Sequence, residues 1–143
     1  MTLSNIALSQ IDELRSRAPY LIDEALIRYE KSIRKFKTSQ EKELVRDLSL
    51  EVLALILERV EREEVISLAP LKQIILENVF RLNFDVELSL SSLDFLGEVI
   101  INFLKEKQGF DKNLVQYLEE YKRLLQEATG DFKFFVETSS TEL

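Results

Sequence analysis

Twenty-six carboxylates, with no histidine and no cysteine, bound the chemistry open to this 143-residue chain. Carboxylates at short spacing are the raw material of general acid–base pairs and of divalent-cation sites. Here they gather at Glu58, Glu61, Glu63 and Glu64, and again at Glu119 and Glu120. Adjacent residues on a helix diverge by about 100°, so neither Glu63–Glu64 nor Glu119–Glu120 can converge on one site unaided. Glu58, Glu61 and Glu64 lie closer to one face, but Arg59 and Arg62 stand beside them, as on a solvated, salt-bridged helix. The missing histidine removes Ser–His–Asp triads, histidine phosphotransfer and the Glu-x-x-His ligand pairs of di-iron bundles. The missing cysteine removes disulfides, thiolate metal sites and thiol redox switches. No Gly-rich phosphate loop or Walker signature occurs. The expectation is a protein that is not an enzyme, with no catalytic residue, no metal centre and no cofactor.

The elements that carry these residues read as helices. Three glycines and two prolines leave few turn formers, and 45% hydrophobic with 31% charged residues fits a globular chain long enough for one core. A net charge of −7 opposes general affinity for nucleic acid or anionic membranes. The exception is the run Arg28, Lys31, Arg34, Lys35, Lys37, which reads as cations offsetting the dipole at a helix C-terminus. The longest uncharged apolar runs, "VLALIL" and "VIINFL", fall far short of the ~20 residues that span a bilayer. With no signal-peptide pattern at the N-terminus, a cytoplasmic location is expected.

The fold class expected is all-α: a single-domain bundle of about five to six helices over residues 1–130, followed by a tail over 131–143. Helix one is expected over 4–16, with Leu3, Ala7, Ile11 and Leu14 on one stripe, and Pro19 either ends it or opens the next helix. The second, about 19–37, carries Ile22, Ala25, Leu26, Tyr29, Ile33 and Phe36 inward. "TSQE" opens the third, with Thr38 as N-cap and Glu41 closing a capping box, and it runs to about Glu64. The fourth, about 70–82, turns Leu71, Ile74, Ile75, Val79 and Leu82 inward, and "NFDVELSLS" after it reads as an extended connection. Ser91 with Asp94 starts the fifth, about 92–107, which Gly109 ends. Asp111 caps the sixth, about 111–129.

The fifth helix is apolar over an arc of roughly 240°, far more than the ~100° a core stripe needs. Only Asp94, Glu98, Asn102, Lys105 and Glu106 interrupt it. Either it is central in its own bundle, or one flank meets a partner. The third helix shows a similar excess, and a chain of this size cannot easily bury two helices completely, which favours an interface. Phe95, Gly97, Val99 and Ile101 are the candidate partner-binding residues, with Gly97 and Ile101 at the edge of the arc nearest the charges. On the sixth helix Leu114, Leu118, Tyr121, Leu125 and Ala128 alternate steps of four and three. That is coiled-coil spacing over about two heptads, which fits either a helix packing on the same bundle or, through the first four, a candidate dimer interface.

"SLDFLGEVII", Ser92 to Ile101, resembles the S-L-D-F-L-x-E-V pattern in the N-terminal regulatory domain of the RsbU stress-response phosphatase family. "EEVIS", Glu63 to Ser67, resembles a matching stretch upstream in that domain. The likeness centres on residues 39–109, leaving 1–38 as additional helices and 111–129 where the family has a linker helix. At Gly97 this chain departs from the family, which has a large apolar residue there. The resemblance implies a bacterial helical bundle that homodimerises and binds a kinase-like switch protein in signalling; the net charge and the short apolar runs add the expectation of no membrane or nucleic-acid partner. The function expected is a regulatory, protein-interaction module acting through helix 92–107. The alternative is a structural subunit or assembly factor whose apolar faces are permanent contacts.

Overall fold

The computed structural model describes residues 4–64, 69–81, 86–107 and 109–141. It is all-α, with five helices: α1 (Asn5–Ser32), α2 (Ser39–Glu61), α3 (Ala69–Arg81), α4 (Val86–Lys105) and α5 (Lys112–Thr141). Leu3, Leu82, the Val65–Ser67 part of "EEVIS", the start of "NFDVELSLS" and the C-terminal Glu142–Leu143 lie outside the described residues. So do the side chains of Leu71, Val79 and Ala128.

The first two expected helices are one. Ser4 caps α1 by accepting the Ala7 N–H at 3.0 Å, and the helix then runs through Pro19 without ending. A proline inside a helix forfeits the bond to the carbonyl four residues back, here that of Arg15. Arg15, Pro19 and Tyr20 all face solvent, so water can meet that carbonyl. The inner face meanwhile carries an unbroken stripe of Ala7, Ile11, Leu14, Ala18, Leu21, Ile22, Ala25 and Tyr29, all buried. Burying that stripe outweighs the lost bond. The helix stops at Ser32, short of the expected 37, which leaves Ile33 outside the core at 56% exposure. Phe36 is half-buried, stacked on Tyr29 at 5.2 Å.

Polar contacts fix the directions of the long helices. Lys42–Glu30 (3.0 Å), Arg46–Asp23 (3.3 Å) and Arg15–Glu61 tie α1 antiparallel to α2. Tyr29 against Phe95 at one end and Glu13 with Lys107 at the other set α1 antiparallel to α4. Gln126–Asp94 (3.1 Å) and Lys105–Glu119 (3.2 Å) set α5 antiparallel to α4. Among the described residues α2 and α4 each pack against all four other helices, and they form the centre.

Helix ends follow local chemistry. Thr38 Oγ1 accepts the Glu41 N–H at 2.9 Å, and Glu41 reaches back to the Lys37 N–H at 3.0 Å. At the end of α2 the Glu64 N–H donates to Arg59 and the Glu63 N–H to Val60, placing Glu63 at φ 52°. This left-handed position normally favours glycine. Gly109 (φ 73°) follows α4, as expected. Asp111 caps α5 by accepting the Leu114 N–H at 2.9 Å.

Two further boundaries differ from expectation. α4 begins at Val86, so Ser91 lies within it rather than at its start. A two-residue alternation over so few positions is also compatible with a four-residue step. Leu88 and Ser92 are both buried one turn apart, and the Ser92 hydroxyl donates to the Leu88 carbonyl at 2.6 Å. α5 continues past the expected end at 129 to Thr141, because Gly130 costs a helix about 1 kcal/mol without blocking it, and no proline follows.

Candidate interaction surface on α4 and α5

The apolar breadth of α4 is accounted for inside the chain. α1, α2, α3 and α5 surround it, burying Leu93, Leu96, Val99, Ile100, Ile101 and Leu104. Val99 is 2% and Ile101 7% exposed, so the fold leaves these two candidate partner-binding residues almost no surface to offer. Phe95 is half-buried, edge-on to Tyr29 with ring centres 6.3 Å apart. Packing within the chain is enough to account for two broadly apolar helices. α2 and α4 are not buried completely: α4 keeps Glu98, Asn102 and Lys105 in solvent, and α2 a broader face that includes Leu50 and Ala54, while four neighbours cover the rest.

The candidate dimer residues are likewise interior. Leu114 (0%), Leu118 (6%), Tyr121 (3%) and Leu125 (6%) are buried by the packing of α5 on α4 and α2. Their four-three spacing is the seam of an intramolecular antiparallel pair, which obeys the same periodicity as a coiled coil between chains. Burial pushes the Tyr121 phenol above its ordinary range.

Gly97 does let another element come close. That element is the aliphatic stem of Lys122, whose Cγ would lie 3.3 Å from a β-carbon at this position. Beneath the stem is a crevice of about 30 Å³, lined mainly by Ile56, Leu96, Gly97, Ile101, Tyr121 and Leu125. An apolar cavity that accepts benzene is about 150 Å³, so this one admits a methyl group or two and no small-molecule cofactor.

Outward of the crevice, and sharing Ile101 and Lys122 with it, lies a shallow polar basin of about 470 Å³. Glu98, Asn102 and Lys105 of α4 and Glu119, Arg123 and Gln126 of α5 complete it. Lys105–Glu119 and Lys122–Glu98 (3.9 Å) cross it. Arg123 pairs along its own helix with Glu120 and Glu127, and its hydrogen bond holds the Glu120 carboxyl below the usual range. The basin is formed by the residues that interrupt the apolar arc of α4. That interruption was the signal in the sequence for an outward face.

Among the described residues the paired carboxylates do not converge on one site. Glu58 pairs with Arg62, Glu61 with Arg15, and Glu64 with Arg59 and Arg62, as a salt-bridged surface requires. Among the described residues no group of three or more Asp or Glu could hold a metal ion. Nor is any described helix long and apolar enough to cross a membrane. Comparison with family models, with curated proteins and with solved structures finds no match to this chain.

Proposed function

We propose that this chain is a non-catalytic protein-interaction module whose partner contacts the outward stripe of α4 and the adjoining side of α5. The observation that carries this reading is the basin itself. It is a concave polar surface bounded by Glu98, Asn102, Lys105, Glu119 and Arg123, with Ile101 and the Lys122 stem at its floor. A polar rim around a small apolar centre is the anatomy of a non-obligate protein interface. The carboxylates spent in ion pairs and the lack of histidine and cysteine weigh against catalysis.

The "SLDFLGEVII" and "EEVIS" patches support a regulatory role in cytoplasmic bacterial signalling, with a kinase-like switch protein as partner and a homodimer as the working unit. In this reading helix 92–107 still faces the partner, through Glu98, Asn102 and Lys105 with the small exposed edge of Ile101 beneath them, rather than through Val99.

The test is affinity capture from source lysate with the wild type and with Glu98→Arg/Lys122→Glu, both checked for equal helical content. A signalling protein held by the wild type and released by the charge-reversed face is the expected result. Equal capture by both proteins removes this face from the interface.

A further inference from the structure

The charge of this chain is unevenly placed. Residues 28–37, "RYEKSIRKFK", hold five cations and one carboxylate, a net of +4 within a chain of −7, so the other residues sum to −11. The structure puts this segment at the corner where α1 ends and α2 begins. The corner is held in shape from within. Phe36 stacks on Tyr29 and has the Lys42 ammonium 5.9 Å from its ring centre. Arg34 pairs with Glu41 at 3.1 Å, and the Lys37 N–H donates to the same carboxylate.

Within this corner the two kinds of cation divide. Arg28 pairs with Glu24 at 2.8 Å and Arg34 with Glu41, so both arginines are engaged by the fold. Lys31, Lys35 and Lys37 are exposed, and Lys31 and Lys35 have no ion-pair partner among the described residues. Between them stands Ile33, 56% exposed, with Ile27 49% exposed two turns of chain earlier. The lysines do not merely offset the helix dipole, since Lys35 and Lys37 lie beyond the end of α1.

We propose that this corner docks onto an anionic lipid surface, with Ile33 entering the headgroup layer and Lys31, Lys35 and Lys37 against the phosphates. Flexible, strongly hydrated ammonium groups suit a diffuse anionic plane, whereas specific protein and nucleic-acid sites favour the planar fork of arginine. An aliphatic tip adds nothing to a phosphate backbone but gains from acyl chains. Phe36, the one ring able to stack on a base, is already stacked on Tyr29. The acidic remainder of the chain is repelled by the same plane, so the two halves of the charge distribution orient the molecule corner-first. The contact is reversible, because a few lysines and one isoleucine fall short of a two-signal anchor.

The test is co-sedimentation of the full chain with vesicles of phosphatidylcholine alone or with about 30% phosphatidylserine, at low and high salt. Binding only to the anionic vesicles, lost at high salt, is expected. Each lysine-to-glutamine change should weaken it by about fivefold, and Ile33→Asn should weaken it with the salt dependence kept. Circular dichroism of each variant confirms the fold. Three results overturn the proposal: no sedimentation with anionic vesicles at low salt, binding unchanged in Lys31→Gln/Lys35→Gln/Lys37→Gln, or retention on duplex DNA or polyglutamate without retention on vesicles.

Discussion

Ile101 on α4 and Ile27 on α1 are the same residue type, each on a long helix, and they end in opposite environments. Ile101 is 7% exposed beneath α5, while Ile27 is 49% exposed on the back of α1. Helix α4 lies at the centre of the bundle, with neighbours on most sides, and α1 lies at the edge, packing mainly on α2 and α4. An apolar side chain is therefore core or surface according to how many helices surround its own, and not according to its type. The outer face of α1 keeps Ile6, Tyr20 and Ile27 in water because no further helix is placed against it among the described residues.

The largest break in this comparison comes from putting a charge at both isoleucines. Ile101→Glu buries an unpaired carboxylate and is expected to cost about 3–5 kcal/mol, enough to remove most cooperative melting by circular dichroism. Ile27→Glu, on the exposed face, is expected to stay within about 0.5 kcal/mol of wild type in the same assay. Equal effects would mean that α4 is not the centre of the bundle.

Helix ends fall between these extremes. The Asp111 carboxylate caps α5 and accepts the Ser4 hydroxyl at 2.7 Å, joining the starts of α1 and α5. That hydroxyl and the Leu114 N–H hold its pKa below the ordinary carboxylate range. A depressed native pKa stabilises the fold fully above the unfolded value, near 3.9, and the contribution fades as pH falls through the native one. Asp111→Ala is expected to cost about 1–2 kcal/mol at neutral pH, and to lose less further stability than wild type between pH 4 and 2. Urea melts across that range read both effects.

Smaller gains are expected where the backbone or a gap is imperfect. Glu63→Gly removes a side chain from a left-handed position and should raise stability by about 1 kcal/mol in urea melts. Gly97→Ala gains helix propensity of about 0.5–1 kcal/mol, less a few tenths for moving the Lys122 stem off its 3.3 Å approach. A small rise in Tm is the expected outcome, and a fall would show that the stem cannot move aside.

Much of the fold was legible in the residues. The caps at Thr38 and Asp111, the left-handed stop at Gly109 and the existence of an apolar stripe on α5 each rest on chemistry within a few residues. Pro19 was misread because a proline weighs heavily in isolation. The stripe from Ala7 to Tyr29, continuous in register across it, was the longer-range signal that the helix goes on. The start of α4 was misread because alternating residues in a short window fit a strand and a helix alike. Of the four candidate partner-binding residues, the structure buries Val99 and Ile101 and half-buries Phe95 and Gly97. The arc of Val99 and Ile101 is interior, and the outward surface is the polar interruption at Glu98, Asn102 and Lys105.

By itself, then, the sequence determined that this protein is helical and roughly where its helices start and stop. Those properties follow from backbone propensity, capping and periodicity, all local in the chain. Only the tertiary structure decided that α2 and α4 are central, that the leucine seam of α5 closes within one chain, and that the lysines of the α1–α2 corner stand out in solvent. These depend on which faces meet across many residues of chain, and a hydrophobic face is equally satisfied by its own neighbours or by another molecule.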